Sequence, residues 1–234
     1  MLTLQMRANT WFFSILLFYA ASCAENPTLP SSASTIRSKN EGKDKPYRIL
    51  ILGDSLTEGY GIPPSEAYPN LLQAQLNANL PAGSQLYEVI NGGVTGSTTS
   101  GGATRIDWYL KSPPDFLIVA LGGNDGLRGI APQQTKYNLK KIVQQAQANK
   151  VSVLLAGMKL PPNYGSPYLK DFENIFPQLA DELKVPLLPF LLEGVGGNPK
   201  MNLPDRIHPN SAGHRIICET VYQHLSQHLP NFPQ

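Results

Sequence analysis

The sequence predicts an α/β protein built on one parallel sheet of five strands, with helices on both faces in a three-layer α/β/α arrangement. The first observation is a set of short apolar runs, of which 47–53 (YRILILG) and 115–121 (DFLIVAL) are continuous, as in strands buried on both faces. The second is that segments with a helical spacing of apolar residues separate these runs. Regular alternation of strand and helix favours parallel strands joined by helical crossovers.

The elements follow one another along residues 47–229. The predicted strands are 47–53, 86–90, 115–121, 151–156 and 185–190. The predicted helices are 67–80, one that closes with Ile106 and Leu110, 132–149, 168–183 and 210 to about 229. Pro81 stops the first helix, Pro132 suits the start of the third, and Pro177 must interrupt or kink the fourth.

Residues 1–23 have the pattern of a secretory signal peptide. Arg7 is the only charged residue, and the apolar run 11–21 is too short to span a bilayer as a helix. Two cleavage sites stay open. Residues 20–23 (AASC) resemble a bacterial lipobox, in which Cys23 would be lipidated and begin the mature chain, whereas cleavage before Glu25 would remove Cys23. We favour lipidation, and expect an exported, periplasmic protein that a lipid on Cys23 would anchor in the outer membrane.

Residues 24–46 differ in composition from the rest of the chain. They contain four serines, three prolines and few large apolar side chains. Such a segment cannot bury enough apolar surface to offset the entropy of ordering, so it predicts a flexible tether. The folded domain is then 47–230.

The composition excludes several classes of function. Nineteen Lys and Arg against 17 Asp and Glu give a net charge of +2, without the basic footprint of a nucleic-acid-binding domain. Two cysteines, Cys23 and Cys218, exclude a disulfide scaffold and a cysteine-rich zinc module, and we expect Cys218 to be an inert core thiol. His224 and His228 lie four residues apart, but no third ligand has a suitable spacing, so we expect no metal site.

Polar residues suited to acyl transfer follow the predicted strands. Ser55 comes directly after the first strand, at a strand-to-helix turn of the kind that exposes a nucleophile. Asn124 follows two glycines after the third strand and could donate to an oxyanion, or simply tolerate a left-handed backbone. Asp205 and His208 could meet Ser55 as orienter and base, or could cap a turn and start a helix. Parallel sheets bind ligands beyond the carboxyl ends of their strands, which favours one shared cleft.

Four segments resemble, in order, the sequence blocks of the GDSL or SGNH hydrolase family. They are 53–61 (GDSLTEGYG), 91–99 (NGGVTGSTT), 122–129 (GGNDGLRG) and 205–210 (DRIHPN). They are most similar to the bacterial branch of thioesterase I, lysophospholipase L1 and arylesterase. The resemblance covers about 47–229, nearly all of the folded part, and implies a flavodoxin-like SGNH hydrolase fold.

The resemblance also implies a role for each matching residue. Ser55 would be the nucleophile, His208 the general base and then acid, and Asp205 the residue that orients His208. The oxyanion hole would consist of the N–H groups of Ser55 and Gly96 and the side chain of Asn124. Ser97 stands where relatives often carry aspartate, a departure that would soften this loop. The expected substrate contacts are Gly126, Leu127, Arg128, Pro161 and Tyr164.

The implied activity is hydrolysis of carboxylic esters and thioesters through an acyl-enzyme, with lysophospholipids, aryl esters and short- to medium-chain acyl esters as substrates. No metal or organic cofactor is implied, and the partner is a small-molecule or lipid ester. We expect a monomer that meets the membrane only through the lipid on Cys23. The alternative enzyme is a carbohydrate or peptidoglycan O-acetylesterase, and the alternative outside enzymes is an envelope-anchored binding protein. A signalling receiver that uses Asp54 as phosphoacceptor is disfavoured, because export contradicts it.

Overall fold

The computed structural model describes residues 45–78, 80–230 and 232. The predicted signal peptide, with Cys23, and all but the last two residues of the predicted tether lie outside the described residues. The strands are β1 Tyr47–Gly53, β2 Tyr87–Gly93, β3 Phe116–Ala120, β4 Ser152–Ala156 and β5 Leu187–Leu188. They form one parallel sheet in the order β2-β1-β3-β4-β5, so the predicted five-stranded α/β/α fold is confirmed.

The helices lie on both faces of this sheet. Their bounds are α1 Ser55–Glu58, α2 Tyr68–Ala78, α3 Thr99–Tyr109, α4 Gly123–Leu127, α5 Pro132–Ala148, α6 Ser166–Glu173, α7 Ile175–Leu183 and α8 Ser211–Leu225. Helices α2 and α8 pack together, and α5 packs between α3 and α7. With right-handed crossovers, the strand order places these two groups on opposite faces. No helix of the described ranges is both long enough and apolar enough to cross a membrane.

The strand order reverses its direction at β1, and this point determines where the polar residues collect. From β1 the chain passes first to β2 on one side and then to β3 on the other. Gly53, the last residue of β1, pairs with Gly93 of β2 and with Ala120 of β3, so the three strands end at one level. Ligands of open α/β sheets bind in the crevice at such a reversal.

Two predicted boundaries were wrong near this crevice. The second strand runs on to Gly93, three residues beyond the predicted end at Ile90. A Cβ atom at Gly93 would lie 2.2 Å from the backbone nitrogen of Glu58, so only glycine lets β2 continue alongside α1. The fifth strand is the opposite case, because only Leu187 and Leu188 of the predicted 185–190 pair with β4.

The predicted helix 168–183 is two helices, and the break does not lie at Pro177. The first, α6, begins at Ser166, and the chain turns at Asn174 before α7 begins. Pro177 is therefore the third residue of α7, within the first turn. An N–H group in that turn has no intrahelical acceptor, so a proline costs little there.

A buried histidine joins α8 to the start of α2. His214 is 1% exposed, and its Nδ1 accepts a hydrogen bond of 3.2 Å from the backbone N–H of Tyr68. Burial lowers the pKa of His214 to about 4, from an ordinary value of 6.5. The unfolded chain therefore binds a proton at His214 below pH 6.5 that the folded chain does not bind until about pH 4.

The free energy of unfolding should consequently decrease as the pH is lowered below 6.5, because the unfolded chain takes up a proton at His214 and the folded chain does not. We expect the stability advantage of the wild type over His214→Asn to shrink by about 2 kcal/mol between about pH 7 and pH 5, since asparagine retains an acceptor but does not titrate. Urea unfolding of both chains at each pH measures this difference. The titration of Asp54 is present in both chains and cancels. An advantage that stays constant over this range would contradict the assignment.

Candidate active site

Ser55 is the first residue of α1, directly beyond the carboxyl end of β1. Asp54 precedes it as the N-cap, and its Oδ1 accepts a hydrogen bond of 3.0 Å from the N–H of Leu56. The backbone N–H of Ser55 is thus left without an intrahelical acceptor, as first-turn N–H groups are. Gly59 ends this single turn in the left-handed conformation, with φ +87°. The turn holds the Ser55 hydroxyl at the edge of the sheet, with its N–H available beside it.

Asp54 is a buried carboxyl group within this turn. Burial raises its pKa to about 6, although the N–H of Leu56, the charge of His208 and the amide of Asn124 lower it in part. Its Oδ2 lies 3.3 Å from Nδ2 of Asn124. Asp54 therefore connects the nucleophile turn to helix α4, a role that its position before Ser55 did not predict.

Asp205 and His208 meet in the loop that precedes α8. Oδ1 of Asp205 accepts the backbone N–H groups of Ile207 and His208, at 2.9 and 3.0 Å, and its Oδ2 lies 2.7 Å from Nδ1 of His208. These two backbone N–H groups, with the His208 side chain, lower the pKa of Asp205 to about 2. The intervening Arg206 adopts a left-handed conformation, with φ 61°, that tightens the turn. Of the two readings of this pair, the structure shows the one in which the side chains interact.

The imidazole of His208 also reaches the nucleophile turn. Its Nε2 lies 2.9 Å from Oγ of Ser55, across 153 residues of sequence. Because the ionised Asp205 accepts from Nδ1–H, Nε2 of the neutral ring is the acceptor for the Ser55 hydroxyl. The ring of Tyr60 packs against this imidazole, with 4.5 Å between the ring centroids. Oγ, imidazole and carboxylate thus form one continuous chain of hydrogen bonds.

Asn124 lies on α4 and contacts the nucleophile turn through Asp54. Its Nδ2 donates to the carbonyl oxygen of Ser97, at 3.1 Å, as well as facing Asp54. The adjacent Gly96 has φ +74°, and its carbonyl accepts from Arg128 at 3.0 Å. No acceptor for the Gly96 N–H lies among the described residues, so this donor is available to a ligand. Gly96 does not line the cavity described below.

Helix α4 itself was not predicted. A buried acid explains its position: Asp125 is 1% exposed and accepts hydrogen bonds from the N–H and the hydroxyl of Thr99. Thr135 on α5 also approaches Asp125, at 3.4 Å. Asp125 therefore fixes the neighbouring Asn124 to α3 and α5. The sequence signal was a carboxylate directly after the oxyanion candidate, whose partners lie 26 and 10 residues away.

A cavity of about 560 Å³ opens beside Ser55 and His208. Most of its lining is apolar. The apolar side chains are Leu56, Leu127, Met158, Leu160, Pro161, Pro162, Phe190, Leu192 and Ile207. Charged side chains among the lining residues include Lys159, Glu173 and Arg206. Sequence reasoning found Leu127 and Pro161 but missed the other apolar side chains, because they come from α1 and from the segments after β4, after β5 and before α8, which only the fold brings together.

Three predicted substrate contacts lie outside the lining of this cavity. Gly126 is buried, and a Cβ atom there would lie 2.4 Å from Leu160, so it allows the cavity wall to pack. Arg128 is directed to Gly96. Tyr164 donates through its hydroxyl to the carbonyl of Leu127, at 3.0 Å, and so holds the end of α4 instead of lining the cavity. Across residues 45–78, 80–230 and 232, no group of three His, Cys, Asp or Glu side chains could hold a metal ion.

Comparison with known proteins agrees with this geometry. A family model for the GDSL-like lipase/acylhydrolase family matches residues 51–216. Esterase TesA of Pseudomonas aeruginosa is 39% identical over 178 residues, which are 76% of this chain and 87% of that protein. Thioesterase 1/protease 1/lysophospholipase L1 of Escherichia coli K12 is 40% identical over 178 residues, 76% of this chain and 82% of the relative.

A solved structure shows the same relationship in three dimensions. The crystal structure of AlinE4, an SGNH-hydrolase family esterase, superposes with a TM-score of 0.64 at 38% identity. The match covers 80% of this chain and 98% of that one. The four sequence blocks, the strand order and these relatives lead to one conclusion. The chain belongs to the GDSL-like lipase/acylhydrolase family.

Proposed function

We propose that this serine esterase hydrolyses carboxylic esters and thioesters with an apolar acyl chain, through an acyl-enzyme on Ser55. Candidate substrates are lysophospholipids, aryl esters and short- to medium-chain acyl esters. The observation that carries the proposal is the hydrogen-bonded series Ser55–His208–Asp205 at the mouth of an apolar cavity. Esterases and a lysophospholipase among the relatives support it.

The chemistry follows from the positions of these groups. Oγ of Ser55 attacks the carbonyl carbon while its proton passes to Nε2 of His208, and Asp205 stabilises the imidazolium that forms. The tetrahedral intermediate collapses as the C–O or C–S bond breaks, and His208 returns the proton to the leaving alcohol or thiol. Water, deprotonated by His208, then attacks the acyl-enzyme and releases the acid. Every residue that these steps need is supplied within one chain.

Negative charge develops on the carbonyl oxygen in both steps. We assign its stabilisation to the N–H groups of Ser55 and Gly96 and to Nδ2 of Asn124. Nδ2 of Asn124 donates to the Ser97 carbonyl at 3.1 Å, and we assign the hydrogen on the longer contact, 3.3 Å to Asp54, to the developing oxyanion. Donors held close to their final position before the reaction need little reorganisation when charge appears, which is the main source of their effect.

The apolar cavity favours acyl chains over acetylated sugars. A sugar would place several hydroxyl groups against a lining that is mostly apolar, whereas each methylene buried there contributes about 0.8 kcal/mol. We therefore expect kcat/KM for p-nitrophenyl esters to rise by about tenfold or more from acetate to hexanoate. Steady-state kinetics on this series, with acetylated xylan and peptidoglycan in parallel, tests the preference.

A pair of matched variants ties that preference to the cavity. Ile207 lines the cavity and is 52% exposed. Leu86 directly precedes β2, far along the sheet from the cavity, and is 59% exposed. Ile207→Ser should reduce the gain from acetate to hexanoate, whereas Leu86→Ser should leave it unchanged. Faster hydrolysis of acetylated sugar than of any acyl ester would favour the O-acetylesterase instead.

We also propose that the protein acts outside the cytoplasm, attached to the outer membrane through Cys23. The pattern of residues 1–23 and the tether-like composition of 24–46 support this proposal. A lipid anchor with a tether would place the domain near lipid esters. Mass spectrometry of the mature amino terminus from the native host should show a lipidated Cys23. A mature chain that begins at Glu25 would contradict the anchor.

A further inference from the structure

The guanidinium of Arg105 lies among the segments that form the proposed oxyanion site. Arg105 belongs to α3, and its Nη1 donates to the carbonyl oxygen of Gly92 at 2.8 Å. Its Nη2 donates to the carbonyl oxygen of Gly53 at 3.0 Å and to Oγ of Ser97 at 3.1 Å. One planar group therefore joins the end of β1, the end of β2 and the loop that follows β2.

Two of the three acceptors of Arg105 lie within two residues of a proposed oxyanion donor. Gly53 lies two residues before Ser55, and Ser97 follows Gly96. The carbonyl of the same Ser97 accepts the amide of Asn124. Through these few hydrogen bonds, Arg105 is connected to all three donors without contacting the position of the substrate.

The partners of Arg105 are unusual for a part-buried guanidinium. Both carbonyls and the hydroxyl are neutral, and Arg105 forms no ion pair within the described ranges. Its Nε is buried and has no acceptor among the described residues. Removing a cation from water without a counter-charge is costly, so simple filling of this space would favour an apolar side chain.

An apolar side chain at this position would lack the directed N–H donors of the guanidinium. The guanidinium has five N–H donors in one plane, whereas the ammonium of lysine is a flexible point charge. Gly53 is the last residue of β1, and Gly92 is the last but one of the adjacent strand β2. A guanidinium that binds both carbonyls therefore fixes the distance between the two strand ends.

We propose that Arg105 is a positioning residue that sets the spacing of the oxyanion donors Ser55, Gly96 and Asn124. The proposal rests on the proposed function of those donors. Loss of the guanidinium would allow the strand ends and the 94–98 loop to relax, and donors displaced by a fraction of an ångström would stabilise the transition state less well. Ground-state binding in the apolar cavity, which Arg105 does not line, would be unaffected.

The test is chemical rescue of Arg105→Ala. On p-nitrophenyl hexanoate we expect kcat to fall by about 10- to 100-fold with KM within about twofold of wild type. Millimolar guanidinium chloride should restore part of the lost kcat by occupying the vacated space. Asn124→Ala is the matched control, since it removes a donor itself and should gain nothing from guanidinium. A folded Arg105→Ala variant with wild-type kcat, or one without rescue, would overturn the proposal.

Two milder variants keep the test valid if Arg105→Ala does not fold. Arg105→Lys retains the stem and the charge, and Ser97→Ala removes one acceptor. Both should lower kcat at unchanged KM, with melting temperatures close to wild type, and wild-type kcat in both would overturn the proposal. If the wild type hydrolyses no ester at all, the proposed function fails and this inference fails with it, whereas an active wild type isolates the role of Arg105.

Discussion

Replacing Ser55 with alanine is expected to lower kcat for p-nitrophenyl esters by about 10⁴-fold or more. No other group occupies the position from which Oγ, 2.9 Å from Nε2 of His208, attacks the carbonyl. Losses of this size are typical when the nucleophile of a serine hydrolase is removed, because the remaining binding groups cannot supply covalent catalysis. Steady-state kinetics with the wild type and the variant at equal concentration measures the loss.

A covalent label separates loss of the nucleophile from loss of structure. A fluorophosphonate should transfer its phosphonyl group to Ser55 of the wild type with loss of HF, and should not label Ser55→Ala, while both chains melt at similar temperatures. Ser226→Ala, in the carboxyl-terminal 3₁₀ helix Ser226–His228, serves as the matched control and should be labelled like the wild type. An alanine variant that turns over esters at the parent rate would overturn the role of Ser55.

Asn124→Ala is expected to lower kcat by about 10²- to 10³-fold with little change in KM. The bond to the Ser97 carbonyl holds the amide in place, and the longer contact to Asp54 is the one it exchanges for the oxyanion, so its contribution appears as charge develops. Steady-state kinetics on one acyl ester gives both constants. The rate of fluorophosphonate labelling should fall in parallel, since the phosphonyl oxygen uses the same donors.

An isosteric variant sharpens this prediction. Asn124→Asp replaces the donor by an acceptor beside the Asp54 carboxyl group, and the loss in kcat should equal or exceed that of alanine. Asn70→Ala removes an exposed amide that donates to the carbonyl of Pro64, at 2.7 Å, and should keep the parent rate. Unchanged turnover in Asn124→Ala would remove this residue from the oxyanion site.

The parts of the molecule that sequence predicted are those set by local pattern. The continuous apolar run of β1 indicated a strand buried on both faces, and Ser55 follows it directly. Because parallel strands present their carboxyl ends at one edge, the sequence alone predicts that Ser55 and Asn124 share one cleft. His208 could be added through its spacing from Asp205 and through the resemblance of the block around it.

What sequence did not predict depends on partners far along the chain. The α4 helix is held by Asp125 through Thr99, and nothing local to 123–127 indicates a helix, because two of its five residues are glycines. Nothing in the sequence around Arg105 indicates that it binds the carbonyls of Gly53 and Gly92, which lie 52 and 13 residues away. Tyr164, a predicted substrate contact, also donates its hydroxyl to the carbonyl of Leu127, which its sequence position did not indicate. Each case is a long-range hydrogen bond that no periodicity encodes.

The raised pKa of Asp54 means that ionisation of this carboxyl group destabilises the folded state at the reaction centre. The folded chain holds the Asp54 proton up to about pH 6, whereas the unfolded chain releases it near pH 3.8, so stability declines as pH rises through this interval. At neutral pH the ionised group disfavours the native state by about 3 kcal/mol. The rest of the core, above all the fully buried Ile49–Leu52 segment of β1, must offset this burden. A variant selected only for stability would lose the Asp54 carboxylate, and would thereby lose the acceptor that orients the Asn124 amide.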